Sequence, residues 1–203
     1  MKGFFITFEG IEGSGKTTQA RMLYDHFRKK KVDCFLTREP GGTKISEKIR
    51  EIILDSHNLE MVPKTELFLY FASRSQHVEQ VIRPALSSEK TVISDRFSDA
   101  TLAYQGAGRE LPMDTVKKLN RFATGSLSPD LTFLLDLPVK DGLSRVRRTD
   151  RIEQEVEEFH DRVRNEYLKI ASEEPDRVVV LDGMEDKREI HRKVVEAVSA
   201  SGL

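Results

Sequence analysis

The chain has 203 residues, of which 38% are hydrophobic and 33% charged, and its formal net charge is −1. This composition is typical of one globular domain over residues 1–203, and the lack of excess positive charge argues against a nucleic-acid partner. No apolar run approaches the roughly 18 residues that span a membrane, and Glu9 interrupts the apolar N-terminal stretch, so neither a membrane span nor a signal peptide is expected.

The first predicted strand, at 3–8, leads into residues 10–17, which match the phosphate-binding pattern G-x-x-x-x-G-K-[ST] and precede a helical segment at 17–30. In this setting the glycines let backbone N–H groups point at an anion, and the helix N-terminus adds its positive dipole end. Lys16 can then reach the β- and γ-phosphates of ATP, and the Thr17 hydroxyl can ligate Mg²⁺, whereas an ordinary glycine-rich turn leaves both residues unexplained. The expected nucleotide-binding residues are Gly10, Ile11, Glu12, Gly13, Ser14, Gly15, Lys16, Thr17 and Thr18.

The second predicted strand, at 32–37, contains the only cysteine, Cys34, which excludes an internal disulfide and fits a cytoplasmic location. It leads into residues 38–43, Arg-Glu-Pro-Gly-Gly-Thr, which precede a helical segment at 44–55. The glycines and Pro40 fit a plain turn as well as a binding site. For Arg38 we favour contact with a phosphate or with the cofactor.

The next predicted helix, at 64–87, has a core stripe of Leu67, Phe71, Val78 and Ile82. Tyr70 and Arg74 are four residues apart and share a face, so a ring and a planar donor could together hold a flat heterocycle. Taken alone, the pattern fits a core aromatic and a solvated arginine better.

The third predicted strand, at 91–94, delivers Asp95 to the carboxyl edge of the sheet, where a phosphate-loop enzyme needs an acidic group for Mg²⁺. Arg96 beside it could neutralise charge on a transferring phosphoryl group. The alternatives are an aspartate that caps the next element and an arginine that only pairs with it.

The rest of the chain continues the alternation, with helical segments at 112–125, 140–172 and 186–199 and strands at 131–136 and 177–181. Five apolar runs separated by helices predict an α/β fold, a parallel sheet with helices on both faces. Ligands bind at the carboxyl ends of such strands, where the motifs lie. The arginines Arg145, Arg147, Arg148 and Arg151 fit a charged solvated helix, but we favour a mobile lid at about 142–152 that supplies positive charge to the transition state.

These motifs together resemble the thymidylate kinase family over essentially the whole chain. The resemblance rests on residues 8–19, on 38–43, on Asp95-Arg96-Phe97 and on Ala103-Tyr104-Gln105-Gly106. It implies a P-loop nucleotide kinase fold with a five-stranded parallel sheet, phosphorylation of dTMP to dTDP with ATP and Mg²⁺, and a homodimer. Because the phosphate loop lacks an arginine that one branch carries, the chain resembles the bacterial-type branch, in which the lid supplies the catalytic cation.

The resemblance also implies individual roles. Glu12 would face the sugar 3′-hydroxyl and the nearby phosphate or metal, Tyr70 and Arg74 would stack on and hydrogen-bond to thymine, and Thr101 would contact the pyrimidine edge. Tyr104 would crowd the 2′ position, and Arg145 would stack on adenine. The expected catalytic residues are Lys16, Arg96, Glu12, Arg147, Arg148 and Arg151; the substrate-binding residues are Glu12, Arg38, Tyr70, Arg74, Arg96, Thr101 and Tyr104; the metal ligands are Thr17 and Asp95.

Two positions depart from the family pattern: Tyr70 stands where phenylalanine is usual, and Ala100 where many members have serine. Neither change removes a group that the reaction needs. A kinase for another pyrimidine deoxynucleotide monophosphate is the alternative enzyme. A nucleotide-dependent switch is the alternative of a different class, but the sequence has no Asn-Lys-x-Asp or Asp-x-x-Gly motif.

Overall fold

The computed structural model describes residues 3–147 and 150–202. Its sheet has five parallel strands in the order β2-β3-β1-β4-β5. The strands are β1 Phe5–Glu9, β2 Cys34–Arg38, β3 Thr91–Asp95, β4 Leu131–Asp136 and β5 Val178–Asp182. The predicted fold class is confirmed, and each predicted strand is found within a few residues of its expected position.

Helices connect the strands and cover both faces of the sheet. They are α1 Lys16–Lys29, α2 Lys44–Leu54, α3 Pro63–His77, α4 Arg83–Ser87, α5 Ser98–Thr101, α6 Met113–Thr124, α7 Val139–Ser144, α8 Glu157–Glu173 and α9 Lys187–Ala200, with π-helical segments at Val78–Ile82 and Leu102–Gly108. In the described part of the chain, no helix is long and apolar enough to cross a membrane.

The core lies on both sides of the central strand β1, all of whose residues are buried. Ile6 and Phe8 pack with Leu23 of α1 on one face, whereas Phe5 packs with Val78 on the other. This alternation follows from the two-residue period of a strand. The parallel register sets Phe8 beside Asp95, so the ends of β1 and β3 deliver their next residues to the same edge.

The predicted helix at 140–172 is wrong as one element, because α7 ends at Ser144 and α8 begins at Glu157. Asp150 Oδ1 accepts a hydrogen bond of 2.8 Å from the Glu153 backbone N–H, a local turn contact that competes with helical hydrogen bonding. The predicted helix at 64–87 is present with a π-helical interruption at Val78–Ile82, and Pro84, which has no N–H to donate, follows it. The buried helical stretch Ser98–Gly108 was not predicted.

Candidate functional site

A cleft of about 390 Å³ opens at the carboxyl edge of the sheet. Its volume falls in the range of about 300–1,000 Å³ that is usual for small-molecule sites. It brings together ten of the predicted site residues, namely Glu12, Gly13, Lys16, Thr17, Arg38, Tyr70, Arg74, Asp95, Arg96 and Tyr104. Within the described ranges, the predicted site residues that do not line it are Gly10, Ile11, Ser14, Gly15, Thr18, Thr101, Arg145, Arg147 and Arg151.

The phosphate loop joins β1 to α1 and requires glycine at Gly13. The φ angle there is +71°, and an added Cβ would lie 2.1 Å from the carbonyl oxygen of Gly142 in α7. Lys16 begins α1 and folds back over the loop, donating hydrogen bonds of 2.6 Å to the Ile11 carbonyl and 3.2 Å to Ser14 Oγ. Burial, together with the nearby charge of Arg96, lowers the pKa of Lys16 to about 8. Lys16 is thus held over the phosphate loop, where it lines the cleft.

Thr17 and Asp95, the predicted metal ligands, lie side by side in the cleft. The Thr17 hydroxyl donates a hydrogen bond to Asp95 Oδ2, so a hydroxyl and a carboxylate from two elements adjoin. No group of three or more histidine, cysteine, aspartate or glutamate side chains suited to a metal occurs among the described residues. A hydroxyl and a carboxylate are ligands of the kind that Mg²⁺ takes from a protein, since it keeps several waters and binds substrate phosphates at its other positions.

Arg96 lies between the phosphate loop and the rest of the cleft, in a left-handed backbone conformation with φ +69°. It donates 2.9 Å hydrogen bonds to the Gly10 carbonyl and to Glu12 Oε1, and its guanidinium lies 4.8 Å from the centre of the Tyr104 ring. The surrounding tyrosines and Glu12 outweigh the effect of burial and raise the pKa of Arg96 further, so it is always charged.

Glu12 is a nearly buried carboxylate inside the phosphate loop. Tyr104 donates a 2.7 Å hydrogen bond to Glu12 Oε1, and Nδ1 of the fully buried His160 lies 3.2 Å from Oε2. Burial alone would raise the pKa of Glu12, but the charge of Arg96 and the contact with His160 lower it to about 2. The side chain is therefore ionised and can accept a hydrogen bond from a ligand hydroxyl.

A second glutamate, Glu9, lies behind this layer at the end of β1 and is 1% exposed. Its Oε1 accepts a 2.7 Å hydrogen bond from the Phe97 N–H, and its Oε2 accepts one of 2.7 Å from the Tyr167 hydroxyl. Burial and the neighbouring carboxylate Asp99 raise its pKa to about 7. Tyr167 in turn lies 3.2 Å from Arg96 Nη1, so Glu9 is connected to the cleft without lining it.

At the opposite end of the cleft, Arg74 is only 2% exposed, so the interpretation as a solvated arginine is wrong. Its Nε donates to Glu39 at 2.6 Å, Nη1 to Thr101 at 2.7 Å and Asn120 at 2.9 Å, and Nη2 to the Phe97 carbonyl at 2.8 Å. These bonds use four of the five N–H groups of a guanidinium. In the described part of the chain, the remaining Nη2 hydrogen has no protein acceptor.

Other predicted acceptor-side residues surround Arg74. Tyr70 is half-buried and lines the cleft, and burial raises the pKa of its hydroxyl, so it presents a neutral phenol. Thr101 is buried with its hydroxyl against Arg74, so it contributes through that arginine. Arg38 lines the cleft, but its guanidinium donates to Glu47 at 2.7 Å.

The predicted lid arginines are placed differently from one another. Arg145 donates hydrogen bonds to the carbonyls of Gly183 at 3.1 Å and Gly13 at 3.4 Å, beside the outer end of the phosphate loop. Arg147 is exposed, and Arg148 lies outside the described residues. Arg151 is buried, with Nη2 2.7 Å from Glu66 and Nε donating to the Ile53 carbonyl, and it does not line the cleft.

Several site residues were not singled out from the sequence. Arg50 lines the cleft and donates a 2.8 Å hydrogen bond to the Pro40 carbonyl. Arg50 lies three residues after Glu47, and this spacing places both side chains on one face of α2, which could have indicated a shared polar surface. His160 and Tyr167 lie seven residues apart on α8, and such spacing on one helix face also indicates a shared environment. Glu9 was noted because it interrupts an apolar stretch and as part of residues 8–19, but it was assigned no role.

A phosphate loop after the central strand of a five-stranded parallel sheet, in one cleft with Arg96, Tyr70 and Arg74, defines a P-loop nucleotide kinase. The family model described as thymidylate kinase matches residues 8–194, and the chain belongs to that family. The thymidylate kinase of Lactobacillus helveticus (strain DPC 4571) is 50% identical over 201 residues, covering 96% of this chain and 95% of that protein.

Two further relatives agree. The thymidylate kinase of Geotalea daltonii (strain DSM 22248 / JCM 15807 / FRC-32) is 49% identical over 206 residues, covering 97% of this chain and 96% of that protein. The crystal structure of thymidylate kinase from Ehrlichia chaffeensis matches with a TM-score of 0.82 and 33% identity, covering 98% of this chain and 99% of that one. The predicted family and its phosphotransferase activity are thereby confirmed.

Proposed function

We propose that this protein transfers the γ-phosphoryl group of ATP to dTMP, giving dTDP and ADP. The observation that carries the proposal is the two-ended cleft, with Lys16 at one end, Tyr70 and Arg74 at the other, and Arg96 between them. A nucleotide switch needs only the phosphate-loop end. The acceptor is a phosphate monoester that is already ionised near neutral pH, so catalysis requires positioning and charge neutralisation rather than a general base.

In this proposal the donor binds at the phosphate loop, with Gly10, Ile11, Gly13, Ser14, Gly15 and Thr18 forming its cradle. Lys16 leaves the Ile11 carbonyl to meet the β- and γ-phosphates, and Arg145 contacts adenine beside Gly183. Thr17 and Asp95 would hold Mg²⁺, which when bound supplies positive charge at the phosphate oxygens. The adjacency of these two oxygen donors supports that assignment.

The acceptor binds between Tyr70 and Arg96. The Tyr70 ring stacks on the thymine, and the remaining Nη2 hydrogen of Arg74 donates to a thymine carbonyl. Glu12 accepts from the 3′-hydroxyl, while Tyr104, held against Glu12, fills the space that a 2′-hydroxyl would need. Arg38 and Arg96 neutralise the acceptor phosphate. These roles are supported by the shared cleft and by the ionised state of Glu12.

The lid arginines supply charge that the phosphate loop does not. We assign this role to Arg147 and Arg148, because Arg151 already neutralises the buried Glu66. A contribution from Arg151 would leave that carboxylate with one cation fewer, which is costly in a buried position.

The test of the proposed reaction is an ADP-release assay with ATP, Mg²⁺ and a panel of nucleoside monophosphates that includes dUMP and the ribonucleotide of thymine. We expect dTMP to give the highest kcat/KM and the ribonucleotide to be rejected, because crowding at the 2′ position adds a repulsive contact. Thymidine is the control without a phosphate and should give no ADP. A higher kcat/KM for another pyrimidine nucleotide would reassign the acceptor, and no ADP with any acceptor would favour a switch.

We also propose that two copies of the chain associate through the face formed by α3 and α6. Phe68 and Phe122 are 59% and 88% exposed there, next to the core residues Leu67 and Ala123 that pack these helices together. Large exposed aromatic side chains indicate an interaction surface. The unpaired Cys34 supports a location in the cytoplasm, where thiols stay reduced.

Phe122→Glu is expected to convert a dimer into a monomer, because a C2 interface places each substitution beside its own symmetry copy. Analytical ultracentrifugation of the variant and the parent protein measures the change. Val180→Glu is the matched control, since Val180 is also exposed but lies on the edge strand β5. A parent protein that sediments as a monomer at all concentrations would contradict the proposed dimer.

A further inference from the structure

The buried carboxylate of Glu9 has no part in the reaction as proposed above, yet such a group is costly to keep. Burying an ionisable side chain is unfavourable unless all its hydrogen bonds are made. Both oxygens of Glu9 are engaged, one by the Phe97 N–H and the other by the Tyr167 hydroxyl, each at 2.7 Å. A leucine or methionine would fill the same space without that cost, so the carboxylate calls for another explanation.

Both hydrogen bonds of Glu9 lead to Arg96. The first fixes the peptide that follows Arg96, a residue whose φ of +69° is unfavourable for a side chain larger than glycine. The second orients the Tyr167 hydroxyl, which donates to Glu9 and can therefore accept from Arg96 Nη1 at 3.2 Å. The carboxylate of Glu9 therefore fixes both the backbone and the guanidinium of Arg96.

Held in this way, Arg96 has a single orientation in the cleft. Its remaining contacts, to the Gly10 carbonyl and to Glu12, are also donated at 2.9 Å and lie on the phosphate-loop side. Charge that is already oriented needs no reorganisation when the transferring group becomes more negative. We propose that Glu9 is a positioning residue for phosphoryl transfer, which holds Arg96 in its active orientation through the Phe97 amide and the Tyr167 hydroxyl. This inference rests on the proposed function.

Glu9→Gln keeps the size of the side chain and an acceptor for the Phe97 N–H, but Nε2 cannot accept from Tyr167. We expect kcat to fall by roughly 10–100-fold, the effect of misplacing a reacting group by about an ångström. The KM for ATP should stay unchanged, because Glu9 does not contact the donor. Tyr167→Phe removes only the second connection and should lower kcat by a smaller factor in the same direction.

The variant is also expected to remain folded. Because burial and Asp99 raise the pKa of Glu9 above its ordinary value, its contribution to stability is largest below pH 4.5 and is lost as the pH rises through about 7. At pH 8 a neutral glutamine should therefore be tolerated at least as well as the ionised carboxylate. Thermal unfolding at pH 8 measures this, so a slow variant cannot be attributed to loss of the fold.

The deciding measurement is a double-mutant cycle between Glu9→Gln and Arg96→Lys, read as kcat and as dTMP affinity by calorimetry. If Glu9 acts through Arg96, its substitution should have little further effect once Arg96 is replaced. Thr7→Val is the matched control. Thr7 lies on β1 with Glu9, and its buried 2.7 Å hydrogen bond to Thr132 on β4 does not involve Arg96, so kcat should be unchanged.

Additive losses in the cycle, or an equal fall in kcat for Thr7→Val, would overturn the role of Glu9. So would a fully active Glu9→Gln protein. If Glu9→Gln does not fold, the cycle between Tyr167→Phe and Arg96→Lys decides the matter. These outcomes all require a parent protein that phosphorylates dTMP, whereas failure of the parent with every acceptor would count against the proposed function itself.

Discussion

Replacement of Lys16 by alanine is expected to lower kcat by roughly 10³-fold or more, a loss at least as large as that of one preorganised hydrogen-bond donor at a transition state. The Lys16 ammonium is the one side-chain cation in the phosphate loop, and alanine has no charge with which to stabilise the negative γ-phosphoryl group during transfer. The ADP-release assay at saturating dTMP and ATP measures the effect.

The fold should survive this change, because the contacts of Lys16 Nζ are to its own loop, at Ile11 and Ser14. A circular dichroism spectrum and an unfolding curve close to those of the parent protein are the controls. Lys29→Ala, at the exposed end of the same helix, is a matched lysine substitution and should keep full activity. Near-normal turnover by a folded Lys16→Ala protein would show that this loop does not bind the transferred phosphate.

Arg74→Ala is expected to lower the free energy of unfolding by about 3–5 kcal/mol, the usual cost of removing one partner of a buried ion pair. Without Arg74, Glu39 keeps only His77 as a side-chain partner among the described residues, and Asn120 and the Phe97 carbonyl lose a donor. Urea unfolding measures the loss. Arg192→Ala is the control: Arg192 is an exposed arginine in α9 that pairs with Glu189 and Glu196, and its loss should leave the free energy of unfolding close to that of the parent protein.

The same variant should lose kcat/KM for dTMP steeply while its affinity for ATP changes little. A site built to hydrogen-bond its ligand discriminates by several orders of magnitude once a donor is lost, roughly 10⁴–10⁵ in well-studied cases. Assays are run at a temperature where the variant is folded. Equal losses for both substrates would indicate that Arg74 only supports the structure of the cleft.

The fold could be predicted from the sequence because its signals are local. Each strand is a short apolar run, and β1, β2, β4 and β5 are each followed within two residues by a glycine or a proline. The phosphate loop and Asp95 were also readable, since a parallel sheet delivers the residues after β1 and β3 to one edge. The helix predicted over 140–172 was wrong because periodicity alone does not reveal that Asp150 starts a turn.

The burial of Arg74 could not be deduced from its own helix. The groups that accept hydrogen bonds from the buried guanidinium come from distant parts of the chain. Glu39 follows β2, Thr101 ends α5 and Asn120 lies in α6. Family resemblance supplied the binding role but not this buried ion-pair network. Arg151 was assigned to the phosphates because it lies close to other arginines in the sequence. Its ion-pair partner, Glu66, lies in α3 and could not be deduced from that spacing.

The arginine-rich segment, residues 142–151, contacts the rest of the protein at both of its ends. At one end the backbones of Gly142 and the phosphate loop touch, so that a Cβ on Gly142 would lie 2.5 Å from the Glu12 carbonyl. At the other end Arg151 is bound to Glu66. Residues 143–150 link these two points, and their contour length bounds how far the segment can move. Arg145 and Arg147, which have the proposed roles in adenine binding and charge neutralisation, both belong to this segment. Adenine binding and charge neutralisation at the phosphates should therefore be coupled. A substitution of Arg145 that weakens adenine binding should also lower kcat.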